Sequence, residues 1–284
     1  MAQLSTKELT PNTTPFRVHI PDDGLLQLDT LLRMTPIAQP THETSLPGGD
    51  RKFGMRQDWL KQAVGEWQNA FGWRKHEAYM NTFDHFHMNI EDDLGNFNIH
   101  FVAMYSKRQD AVPLLLLHGW PGSFLEFLPM IDKLRNKYSP DDLPYHVVVP
   151  SLPGYAFSNP PPLDKDFGIE DVARLMNQLM LNLGYEPGYM VQGGDVGSKV
   201  ARVMAVKHEE CKGKHPQPFG YSYYPHELYL VPKSWAATTG NLTFFRAHKN
   251  GGHFAAIEQT ETFLKDLEEF VQESRRAAGL ILPK

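Results

Sequence analysis

Tyr189-Met-Val-Gln-Gly-Gly-Asp-Val-Gly-Ser198 is the stretch on which the fold turns. An apolar strand runs into Gly193-x-Asp195-x-Gly197, and a helix starts directly behind it at Ser198. Glycines two before and two after a central residue allow a strained strand-to-helix turn. Such a turn lifts the central side chain above the edge of a sheet, at a helix N-terminus. In the serine form of this turn the centre is a hydroxyl; here it is the carboxylate of Asp195. The competing reading, a glycine-rich turn in which Asp195 only caps the helix, loses ground as partners are added. Gly48-Gly-Asp50 repeats the tripeptide, but proline and polar residues precede it and no strand leads in. It is assigned to a surface turn.

Upstream, Leu114-Leu-Leu-Leu-His118-Gly119-Trp120-Pro121-Gly122-Ser123 joins a short apolar strand to a loop that opens a helix. A continuous apolar run of this length fits a strand buried on both faces. In hydrolases of this architecture the backbone N–H after the glycine, here that of Trp120, points at a developing oxyanion. The second donor is the N–H that follows the nucleophile, which belongs to Val196. His118 reads as structural. Downstream, Gly251-Gly-His253-Phe254 lies between the last strand and the last helix, where the base should stand in the order nucleophile, acid, base. With thirteen histidines in the chain, position is the argument for His253. The aromatic strand Phe219–Tyr224 is followed by Pro225-His-Glu227, which makes Glu227 the candidate acid; a solvated loop carboxylate is its plainer reading. Glu209 and Glu210 are worse placed, and His85, His87 and His100 fit no metal-ligand pattern.

The surrounding pattern is α/β. Strand-like and helical segments alternate from residue 112 onward: strands at 112–117, 146–150 and 189–193, helices at about 123–137, 169–183 and 197–209. That alternation predicts a mostly parallel sheet with crossover helices. Before it, 85–90 and 97–104 alternate around a turn at 92–96 and predict a strand pair. Leucines at 25, 28, 31 and 32 predict a helix over 22–34. A second helix, at about 55–70, carries Trp59, Ala63 and Trp67 in an apolar stripe suited to lying on something larger. Residues 1–14 read as a flexible arm. The domain reading is a helical segment over 1–80 and an α/β core over 81–284.

The 284 residues allow about two domains. With 28 basic and 33 acidic side chains, the net charge of −5 argues against a nucleic-acid binder. One cysteine, Cys211, excludes an intramolecular disulfide and a cysteine metal cluster. No apolar run approaches the roughly 18 residues of a membrane span, and the first sixteen residues lack a signal peptide's apolar region. A cytoplasmic protein without cofactor or metal is expected.

Together these residues resemble the epoxide hydrolase family of the α/β-hydrolase superfamily, in its microsomal-type branch. The resemblance rests on Pro15-Phe-Arg-Val-His-Ile-Pro21, His118-Gly-Trp-Pro121, Pro153-Gly-Tyr-Ala-Phe-Ser158, Gln192-Gly-Gly-Asp-Val-Gly-Ser198, Ser234–Asn241 and Gly251-Gly-His-Phe254. It implies Asp195 as nucleophile, His253 as base and Glu227 as supporting acid, with hydrolysis of a small apolar or aromatic epoxide to a vicinal diol. Val196, where haloalkane dehalogenases place a halide-binding tryptophan, favours the epoxide reading. The family inserts a helical cap between the helix of the elbow and the strand before the acid. Here Asp195 and Glu227 are too close in sequence to hold one, and the gap falls near 211–218. The resemblance therefore also implies that two cap tyrosines which grip the epoxide oxygen are missing. Tyr155, Tyr221, Tyr223, Tyr224 and Tyr229 are candidate substitutes, though each reads more simply as packing. One sheet position is expected to be vacant, or filled by the aromatic strand. Three readings stay open: an active epoxide hydrolase, a catalytically impaired relative, and another α/β-hydrolase reaction. A homodimer in which a second subunit covers the open sheet end fits any of them.

Overall fold

Leu114, Leu115, Leu116 and Leu117 are at most 1% exposed, because the strand they form has a parallel neighbour on each side and is covered on both faces. In the computed structural model, which describes residues 10–208, 211 and 218–277, the chain divides into two compact units. One is 17–82; the other is the remainder, up to residue 16 and from residue 83 onward.

The 17–82 unit is helical: α1 (Asp22–Met34), the short α2 (His42–Ser45) and α3 (Asp50–Phe53), α4 (Gln57–Asn69) and α5 (Trp73–Met80). Asp22 and Asp23 sit in the first turn of α1, where the helix dipole favours them. The stretch entering α1 is tied to α5. Glu77 accepts from the Ile20 N–H and from the Trp73 indole, and the Asn81 amide bridges the N–H and C=O of Val18. Trp59 and Trp67 remain 58% and 46% exposed, so the apolar stripe of α4 is not a core face among the described residues. Gly48-Gly49-Asp50 is a turn running into α3, with Gly48 at φ +71°.

The other unit carries a six-stranded sheet in the order β1-β2-β3-β5-β4-β6. Its strands are β1 (Thr13–Phe16), β2 (Asp84–Asp92), β3 (Gly95–Met104), β4 (Val112–Leu117), β5 (Tyr145–Pro150) and β6 (Met190–Gly193). Strands β1, β2, β3 and β5 are antiparallel neighbours, whereas β4 runs parallel to β5 and β6. Thr13 and Thr14, assigned to a flexible arm from the sequence, belong to β1. They stand opposite Met88 and His87 of β2, and the Phe16 ring packs on His87, His100 and Phe157. A four-residue strand anchored by one aromatic side chain on distant rings carries no local periodicity, which is why it was not legible.

A 3-10 turn (Phe124–Phe127) leads into α6 (Leu128–Lys137), followed by α7 (Ile169–Asn182) and α8 (Asp195–Lys207). Ile99, Phe101, Leu115, Leu117, Leu175 and Met176 meet in the main core, each fully buried. The remaining described elements are β7 (Pro218–Tyr223), α9 (Lys233–Ala236) with a 3-10 turn behind it (Ala237–Thr239), β8 (Asn241–Ala247), α10 (Ala255–Glu258) and α11 (Thr260–Ala277). Strands β7 and β8 form a separate parallel pair. The aromatic strand has therefore not moved beside β6, and among the described residues that position is vacant. Apart from Cys211 and Pro218, the predicted cap gap at 211–218 lies outside the described residues. No helix among the described residues is long and apolar enough to cross a membrane.

At the hairpin end, Asp92 is held by Arg174 of α7 through two hydrogen bonds of 2.8 and 2.9 Å, and its side chain is 2% exposed. The guanidinium holds the Asp92 carboxyl below the usual range. Asp92→Ala leaves Arg174 a third exposed and still paired with Asp171 at 2.7 Å, so the expected loss is about 2 kcal/mol rather than the full cost of breaking a buried pair. Urea unfolding at neutral pH measures it. Because the folded pKa is depressed, this stabilisation is present above the unfolded carboxylate pKa. It is lost as pH falls through the folded one. A variant of unchanged midpoint refutes the assignment.

Candidate active site

Asp195 is the first residue of α8 and has φ +45°, a left-handed conformation that is strained for a residue with a side chain. The turn closes tightly: a Cβ on Gly197 would stand 2.3 Å from the Leu117 carbonyl oxygen, so β4 and α8 approach only because glycine is there. Space also dictates Gly119, whose added Cβ would fall 2.5 Å from the Asp195 side chain. With the loop after β4 pressed against Asp195, the Trp120 N–H donates to Asp195 Oδ1 at 2.8 Å. The Val196 N–H lies in the first turn of α8, where helix geometry supplies no acceptor from the helix itself.

His253, between β8 and α10, meets two acceptors. Its Nδ1 is 2.7 Å from Glu227 Oε1, and its Nε2 is 3.2 Å from the Trp120 carbonyl oxygen. Only the imidazolium donates to both at once. Accordingly the hydrogen bond to Glu227, followed by the Trp120 carbonyl and the charges of Glu227 and Asp195, raises the pKa of His253 against its burial. Glu227 Oε1 also accepts the Leu228 N–H at 2.6 Å, which fixes the carboxylate's orientation. An isolated parallel bridge from His226 to Gly252 holds the Glu227 and His253 loops side by side. Asp195, at the start of α8, and His253 thus meet at the Trp120 peptide, with Glu227 behind His253.

His118 is fully buried, with its Nδ1 3.0 Å from the Gly119 carbonyl and its Nε2 accepting the Leu152 N–H at 3.0 Å. Burial lowers its pKa, and the neutral ring pins the loop after β4 to the loop after β5. His85 and His100 are likewise buried and linked to each other, and His100 reaches Ser151. Pro121 belongs to the exposed part of the Trp120 loop. Among the candidate tyrosines, Tyr155 senses the Asp195 charge, which adds to burial in raising its pKa. The Tyr221 hydroxyl donates to the Val231 carbonyl at 3.0 Å, Tyr224 is buried, and Tyr229 is 87% exposed. Trp120 and Leu228 are exposed apolar groups on or next to the site loops, and Asp195 is itself open to solvent.

One carboxylate that feels the charges of the candidate site escaped the sequence reading. Glu126, in the 3-10 turn, is pushed up to about 7 by burial, and the charges of His253 and Asp195 act on it. The available signal was a single carboxylate inside Phe124-Leu-Glu-Phe-Leu128, an otherwise apolar run. Among the described residues, no group of three or more His, Cys, Asp or Glu side chains is arranged to hold a metal.

Comparison with known proteins gives consistent matches. A family model described as "Epoxide hydrolase N terminus" matches residues 13–127, and one described as "alpha/beta hydrolase fold" matches 112–217. A putative epoxide hydrolase of Dothistroma septosporum is 31% identical over 385 aligned positions, covering 94% of this chain and 91% of the relative. That span exceeds the 284 residues of the chain, so on the order of a hundred positions of the relative have no counterpart here. Epoxide hydrolase 1 of Sus scrofa is 32% identical over 209 residues, covering 71% of this chain and 44% of the relative. The solved structure of Aspergillus niger epoxide hydrolase superposes with a TM-score of 0.85 at 34% identity, covering 94% and 97% of the two chains.

Proposed function

The chain belongs to the epoxide hydrolase family, of α/β-hydrolase fold, and from that membership we propose that it hydrolyses epoxides through a covalent ester on Asp195. One observation supports this route above others: the Trp120 peptide touches Asp195 through its N–H and His253 through its carbonyl. Because Oδ1 is held by the Trp120 N–H, the other carboxylate oxygen is the one free to attack. Displacement at a ring carbon forms an ester and releases the ring oxygen. Oδ1 is then the ester's carbonyl oxygen, already beside the donor that stabilises it when it becomes an oxyanion, with the Val196 N–H as second donor. His253, oriented by Glu227, removes a proton from the water that attacks this carbonyl. Exposed Trp120 and Leu228 near the site fit a small apolar or aromatic substrate.

A carboxylate nucleophile would turn an ester substrate into an anhydride, which argues against an esterase. The reading of impaired catalysis has its own support. Ten residues separate α8 from β7, and the aligned relative holds about a hundred positions that this chain lacks.

A single turnover in heavy-oxygen water, with protein in excess over epoxide, tests the route. Water attacks the acyl carbon of the ester, so the Asp195 peptide gains a heavy oxygen while the first diol carries none. The reverse pattern, a labelled diol and an unlabelled Asp195, means direct attack by water and refutes the ester.

A further inference from the structure

Ring opening leaves an alkoxide, and the resemblance places the groups that would meet it in a segment for which this chain has no room. Besides the His253 imidazolium, which the second step needs as a base, the described residues offer two proton carriers near Asp195. Tyr155 holds its proton more tightly than an ordinary phenol, because burial and the Asp195 charge both oppose its ionisation. The other is Glu126.

The Glu126 carboxyl is folded beneath the loop that carries Trp120. A Cβ on Gly122 would stand 1.6 Å from Glu126 Oε1 and 3.4 Å from the Phe254 ring, so the carboxyl occupies the space that this glycine leaves open. At Gly122 the carboxyl and the residue that follows His253 therefore come close to the same point of the Trp120 loop. The backbone amides of Ser123 and Gly119 favour its ionised form, while burial opposes it. The charged groups that act on it are His253 and Asp195, with Glu227 behind His253.

We propose that Glu126 is the proton store of this site, supplying the proton taken up at ring opening and regaining one from His253. The inference rests on the hydrolysis reading above. In the first step an Asp195 oxygen bonds to a ring carbon, the carbon–oxygen bond of the ring breaks, and the released oxygen takes the Glu126 proton through the solvent of the open site. The Glu126 carboxylate then accepts the proton of the His253 imidazolium, which leaves the neutral base that ester hydrolysis requires. Water adds its oxygen to the acyl carbon and gives one proton to His253. The acyl–oxygen bond breaks, and the other proton of that water leaves on the diol. Glu126 ends protonated, His253 ends charged, and one water has been consumed. An acid that titrates near the working pH suits this exchange.

Rapid mixing of a reactive aryl epoxide with excess protein, quenched and read by intact mass, gives the rate of ester formation across about pH 5 to 9. For the unmodified chain the rate is expected to fall as pH rises through neutrality, where Glu126 loses its proton. Glu126→Gln is expected to be about 100-fold slower below neutrality and flat across that range. A role in packing alone would lower the rate by one factor at every pH. In the resting protein, NMR titration of the His253 ring should move to lower pH in Glu126→Gln, because an anionic neighbour has gone. Tyr155→Phe should keep the parent pH profile. An unchanged profile or an unchanged His253 titration in Glu126→Gln overturns the proposal, as does loss of the profile in Tyr155→Phe. A parent chain that forms no ester at all refutes the hydrolysis reading and this inference with it. A parent that forms ester at the same rate and pH profile as Glu126→Gln refutes the inference alone.

Discussion

Asp195→Ala should form no adduct with an epoxide and lose turnover by on the order of a thousandfold or more. The size follows from the route: without the carboxylate there is no ester, and what remains is uncatalysed attack of water in a solvent-exposed site. At φ +45° alanine is more strained than aspartate or asparagine, whose short polar side chains favour the left-handed region, so the turn itself needs a control. Asp195→Asn is the paired control. Its amide oxygen still accepts the Trp120 N–H, which holds Asp195 Oδ1 at 2.8 Å, but the amide is a poor nucleophile. Both variants are checked by intact mass after incubation with a reactive aryl epoxide, and by diol formation. Undiminished diol production by Asp195→Ala sinks the covalent route.

In His253→Gln the ester should accumulate, with its hydrolysis slowed by about 100-fold or more, because the general base is gone while attack by Asp195 is spared. Intact mass then shows a long-lived adduct that the parent chain clears. Turnover equal to the parent refutes the assigned base. The parent also carries a pH signature of this step. His253 acts as base only when neutral, and the Glu227 hydrogen bond raises its pKa above the ordinary histidine value. Ester hydrolysis therefore quickens as pH rises through that raised value and levels above it. Glu227→Gln removes the largest cause of the shift, so the rising limb should move to lower pH. The maximal rate should also fall, because the ring is less well oriented. With ring opening declining above neutrality, the overall turnover of the parent should be bell-shaped.

Much of the site could be read in the residues because the local chain geometry demands them. The strand-to-helix turn needs its glycines at fixed offsets from Asp195, since backbone must approach backbone within a space that no Cβ fits, as at Gly197. The leucine strand is apolar throughout because it is flanked on both sides, and its sequence alone says so. Glu227 and His253 were placed by chain order, and in the structure they stand 2.7 Å apart. Helices with a strong apolar face, α1 and α7 among them, begin and end close to where periodicity put them. The eight residues of α5 carry too few turns to show a face, and Glu77 within it takes its role from Ile20 across the 17–82 unit.

What the tertiary structure alone decided depends on segments far apart in the chain. Strand β1 exists through its pairing with β2, some seventy residues away. The strand position beside β6 is vacant because β7 pairs only with β8 among the described residues, a choice between two partners that no local pattern records. The character of Glu126 is likewise non-local. In the sequence it is one acid among 33. Its proton affinity was set by the meeting of the Gly119–Ser123 loop with His253 and Phe254, which removes water from the carboxyl and places a cation and an anion beside it. A residue's type and spacing are properties of the chain, and they sufficed to single out Asp195, His253 and Glu227 as candidates that the fold brings together. Burial and field belong to the fold, and they singled out Glu126.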